Sequence, residues 1–135
     1  MNLKKIAVTA VASAIALVAL ANPLSAAPLT DQDKKFLATY DKVHHALVAD
    51  DLAGARKAAA ELGTAGDELA KSTSLDEARN AFSKLSDQAE KLATGQAGFY
   101  VVHCPMLKKD WVQTTDKIAN PYGGKDMTTC GEIKK

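Results

Sequence analysis

From Thr30 to Ala93 the apolar positions recur every three or four residues, the period of helices that bury one face. Phe36, Tyr40, Val43 and Leu47 form the first stripe. Thr30 stands before it as an N-cap, with Asp33 three residues on in a capping-box position. Val48-Ala-Asp-Asp-Leu52 interrupts the pattern, and Asp50 or Asp51 can cap a second helix. That helix carries Leu52, Ala55, Ala59, Leu62, Gly66 and Leu69 on one side. Its small residues allow a neighbour to approach closely, Gly63 and Gly66 weaken its second half, and Ser72-Thr-Ser74 ends it. The third helix opens on the capping box Ser74-Leu-Asp-Glu77. It repeats Leu75, Ala78, Phe82, Leu85, Ala89 and Leu92 at alternating spacings of three and four, and stops at Gly95. Glu77 and Arg79 read as charge on its outer surface.

After Gly95 the pattern changes. Phe99-Tyr-Val-Val102 is β-branched and aromatic and predicts a short strand. Lys108-Lys-Asp110 reads as a solvated turn and Trp111 as a packing anchor. Asn120-Pro-Tyr-Gly123 is a turn, with proline at its second position and glycine at its fourth. Of the seven aromatic residues, Phe99, Tyr100, Trp111 and Tyr122 lie in this last part. The helices are therefore poor in large core side chains, and the C-terminal segment is expected to pack its aromatics onto them. The expected fold is mainly α: an antiparallel bundle of three or four helices over 28–94, with a short-strand and loop cap over 95–135.

The N-terminus has its own pattern. Two lysines precede the apolar run Ile6 to Ala21, followed by small residues and proline. This predicts a secretory signal peptide over 1–27, cleaved after Ala26 or Ala27. The run is shorter than the roughly 20 residues of a spanning helix, so no membrane association is expected after cleavage. Removing Lys4 and Lys5 from the 17 basic residues leaves 15 against 16 acidic ones, one net negative charge. With no block of like charge, nucleic acid is not an expected partner.

Export bears on the sulfurs. Cys104 and Cys130 face an oxidising compartment, the expected periplasm, where a disulfide between them is one reading. A metal site is the other. Cys104 and Met106 lie in "HCPM", Met127 and Cys130 in "MTTC". Thiolates and thioethers together select Cu(I), whereas zinc has little use for methionine. In an extended chain Cys104 and Met106 share a face and His103 points the other way. Helical phase turns His44 inward and His45 outward. His44 and His103 are therefore secondary candidate ligands. No nucleophile, acid or base stands in a catalytic motif, so no enzymatic activity is expected.

Several segments together resemble a bacterial domain family of uncharacterised function. They are "ALVADDLAGARKAA" (46–59), "ARNAFSKLS" (78–86), Cys104-Pro-Met106, Trp111, "NPYGGKDM" (120–127) and Cys130-Gly131. That family occurs as small exported proteins and fused to the periplasmic adaptor subunits of copper/silver efflux systems. The segment between Met106 and Trp111 is shorter than the family's usual one. The resemblance implies a heavy-metal association, with Cu(I) or Ag(I) held by Cys104, Met106, Met127 and Cys130 and an efflux component as partner. The alternative is a disulfide-stapled interaction module without metal.

Overall fold

The computed structural model describes residues 26–135; the expected signal peptide lies outside them, apart from its last two residues. Four helices come first: α1 (Asp31–Val48), α2 (Leu52–Ala60), α3 (Asp67–Ala70) and α4 (Leu75–Ala93). Three strands follow: β1 (Tyr100–Cys104), β2 (Lys109–Gln113) and β3 (Glu132–Ile133). They form one antiparallel sheet in the order β2-β1-β3. The fold is thus mixed α and β, which corrects the expectation of a helical bundle with a loop cap. None of the described helices is long and apolar enough to cross a membrane.

The helix starts follow their caps. Thr30 and Asp33 close a reciprocal capping box on α1. Asp51 caps α2 by accepting from the Gly54 amide. Ser74 caps α4 through the Glu77 amide, while the Glu77 carboxylate reaches one residue further back, to the amide and hydroxyl of Thr73. The expected second helix is broken in two. Gly63 takes φ +58°, outside helical geometry, and a 3-10 turn over Gly63–Gly66 separates α2 from α3. At Gly66 a side chain would collide with the Ala59 carbonyl, so the stripe passes through a position only glycine can fill.

The sheet was only partly expected. β1 starts one residue later than predicted and runs two further. Pro105 to Lys108 then turn the chain, with Lys108 at φ +52°, and Lys109 pairs back onto Cys104. Lys109 and Asp110 therefore begin a strand rather than forming a solvated turn. Cross-strand partners share a face. Val102 and Cys104 thus lie with Trp111 and Gln113, all buried, beneath the loop that runs from Thr114 to Gly131. Trp111 is fully buried, as an anchor should be, and its indole N–H donates to Gln113 Oε1.

A chain of hydroxyls joins the helices to β2. Val112 N–H donates to Tyr40 Oη, and Tyr122 Oη donates to the Asp110 carbonyl, which can only accept. Ser86 Oγ lies 2.7 Å from Tyr40 Oη and 2.8 Å from Tyr122 Oη. The end groups fix every direction: Tyr40 donates to Ser86, and Ser86 donates to Tyr122. Burial pushes both phenols well above their ordinary range, so they remain protonated donors. Ser86→Ala would leave the buried Tyr40 hydroxyl without an acceptor. It should cost about 1–3 kcal/mol in urea denaturation. Lys84→Ala, which removes an exposed pair with Glu68, should cost under about 1 kcal/mol. Equal effects from the two changes would refute the relay's structural role.

Candidate thiol site

Cys104 ends β1 and is fully buried, while Cys130 is half-buried just before β3. Their sulfurs lie 2.8 Å apart. Both are free thiols, so the pair is not a disulfide, whose sulfurs would be about 2.05 Å apart. The hydrogen bond to Cys104, followed by burial, raises the Cys130 thiol above its ordinary pKa, and the Met106 amide opposes this.

Three polar side chains set the position of Cys130. Asn120 is fully buried: its Oδ1 accepts from the amides of Tyr122 and Gly123, and its Nδ2 donates to the Cys130 carbonyl. Gln113 accepts from the Ala119 amide and donates to the carbonyls of Thr115 and Lys117. Arg79 donates to the carbonyls of Pro121 and Leu47 and pairs with Asp50. It is largely buried and ties the 120–123 turn to the end of α1, so its reading as surface charge is corrected. Gly131 completes the closure. A Cβ there would lie 2.7 Å from the Trp111 ring and 2.9 Å from Val102 Cγ1. Only a residue without a side chain lets the cysteine loop press onto that face.

The other expected ligands divide. Met106 sits on the hairpin turn with its side chain 76% exposed. The extended path that would have put it beside Cys104 ends at Pro105. Met127 closes a 3-10 turn at Lys125–Met127, and its side chain packs over Gly123. It is linked to Cys130 by the bond from Cys130 N–H to its carbonyl. The thioethers therefore flank the thiols in sequence, Met106 toward solvent and Met127 against Gly123. His103 points away from Cys104, as strand alternation required, and pairs with Asp110. Burial works against the Asp110 charge, but the bonds from His103 and Lys134 outweigh it and lower its pKa. His44 lies inward on α1, with Nε2 on the Ala119 carbonyl at 2.7 Å.

A second cluster was not anticipated. Asp41, His44 and His45 bring one ligand atom each to within 4.8 Å of one another. Its signal in the sequence is the spacing i, i+3, i+4 on α1, which puts all three side chains within one turn.

No family model matches the chain, nor does any curated protein or solved structure. The chemistry therefore rests on the residues. Two facing thiols, one sealed in a strand and one half-buried in a loop, can share a proton, a soft metal ion or a covalent bond. In the native protein iodoacetamide should modify Cys130 and spare Cys104, with two adducts appearing only after denaturation. Peptide mass spectrometry reads the sites, and Cys104 alkylated as fast as Cys130 would contradict its burial.

Proposed function

We propose that this protein is an exported, periplasmic binder of Cu(I) or Ag(I) that buffers the ion or passes it to a heavy-metal efflux system. The observation that carries this reading is the convergence of Cys104 and Cys130. Paired thiolates are the donor class that soft monovalent ions prefer. Metal entry releases the thiol protons, so affinity rises with pH. An ion between the sulfurs needs them farther apart: with metal–sulfur bonds near the roughly 2.3 Å of zinc thiolates, the span is about 4 Å or more. Cys104 is fixed in β1, whereas Cys130 lies outside regular structure, so a rotamer change at Cys130 supplies the opening. Met106, two residues beyond Cys104, then adds a solvent-exposed, flexible thioether suited to passing the ion on. The efflux partner is supported by the resemblance of Cys104-Pro-Met106, the 120–127 segment and Cys130-Gly131 to an efflux-associated family.

A second reading has its own support. The 2.8 Å separation is nearer to a covalent sulfur pair than to a metal-bridged one. Oxidation would close a loop worth about 3.5 kcal/mol in the chain-entropy model and would make a stapled interaction module. The two states compete for the same thiols.

Anaerobic titration of the reduced protein against a Cu(I) chelator separates them. The expected result is one tightly held Cu(I), lost in Cys104→Ser and in Cys130→Ser and weakened several-fold in Met106→Leu. Oxidised protein should bind none. Reduced protein that leaves all Cu(I) with the chelator would overturn the metal reading in favour of the staple.

A further inference from the structure

We propose that Asp41, His44 and His45 form a site for a divalent transition-metal ion of the zinc or nickel type, with donors different from those of the thiol pair. The three lie at i, i+3 and i+4 on α1, so Asp41 neighbours both histidines one turn below them. Their ligand atoms lie within 4.8 Å of one another, a spacing one ion can span.

The unsatisfied atoms point to a ligand. Among the described residues two buried side-chain polar atoms lack a hydrogen-bond partner, Asp41 Oδ1 and His44 Nδ1. Both belong to this cluster. Such groups are costly and few, and their occurrence in the same three-residue cluster calls for a shared cause. His44 is 1% exposed, and its Nε2 lies 2.7 Å from the Ala119 carbonyl oxygen. A carbonyl only accepts, so Nε2 carries the proton and Nδ1 keeps a bare lone pair. Metal-bound histidines usually have this arrangement, with one nitrogen on the ion and the other N–H on a backbone carbonyl. Burial lowers the His44 pKa, which keeps the ring in its neutral, ligating form. His45 Nε2 lies 3.4 Å from Asp41 Oδ2, so the second ring already stands against the carboxylate.

Donor chemistry sets the class of ion. Two imidazoles and one carboxylate suit zinc, nickel or cobalt; calcium and magnesium want more oxygens, and Cu(I) wants sulfur. His45 is exposed, and Asp41 lines a groove of about 420 Å³ walled by Leu29, Leu37 and Phe99. Three protein ligands leave a coordination position free for water or a partner's side chain.

Cobalt(II) titration of the reduced, untagged mature protein, followed by absorption spectroscopy, tests the site. One equivalent should bind with weak visible bands and no thiolate-to-metal charge transfer, and Zn²⁺ should displace it. His45→Ala and Asp41→Asn should each weaken binding at least 10-fold, with circular dichroism unchanged. His44 Nδ1 should shift in nitrogen-15 spectra on adding Zn²⁺. Three results would overturn the proposal: no saturable binding, a charge-transfer band that puts the metal on the cysteines, or unchanged affinity in both variants. Cu(I) binding at the thiols, or its failure, leaves these outcomes unaffected.

Discussion

The sheet depends on what happens at the outer edge of β2. Pairing with β1 uses the backbone groups of Lys109, Trp111 and Gln113, so those of Asp110 and Val112 face the opposite way. In a three-stranded sheet this edge would be an open template for pairing with another chain. Here Tyr40, Ser86 and Tyr122 close it with a one-way run of hydrogen bonds from Val112 N–H to the Asp110 carbonyl. Each hydroxyl donates once and accepts once, so no member is left over, and buried bonds in series strengthen one another. The rings add packing: Tyr40 stacks on Phe82 with centroids 4.7 Å apart, and Tyr122 meets Trp111 edge-on. The helices thereby gain the large aromatic surface that their alanine-rich faces lack.

The thiol pair follows from that docking. With β2 held, its pairing with β1 fixes Cys104, and the buried face of the two strands becomes a floor. Gln113 and Asn120 fold the connecting loop over this floor by bonding the backbone groups of Thr115, Lys117, Ala119 and Cys130. Gly131 lets the loop close onto Trp111. Cys130 reaches Cys104 because a polar scaffold carries it there.

Much of the helical half was legible. The caps at Thr30 and Ser74, a cap at Asp50 or Asp51, the stripe of α4, and the inward turn of His44 follow from spacing and local chemistry. The sheet was less so. Strand β2 reads Lys-Asp-Trp-Val-Gln, and its two charged residues mask a strand whose pairing is set by β1 rather than by its own composition. Lys108 adopts a left-handed conformation that favours glycine, so the hairpin turn carried no glycine signal. At the site, the two cysteines were legible as a pair, but Met106 was assigned from an extended path that stops at Pro105. The roles of Arg79, Gln113 and Asn120 depend on carbonyls distant in sequence, which no local pattern contains.

Amide hydrogen exchange at Val112, followed by nuclear magnetic resonance across a urea series, tests most directly whether the hydroxyl relay makes helices and sheet one cooperative unit. Val112 should exchange only through global unfolding, with the same urea dependence as Val43 and Phe82 in the helical core. Exchange at Val112 that is fast and insensitive to urea, while those core amides stay protected, would mean that the sheet opens independently and that the relay does not hold it.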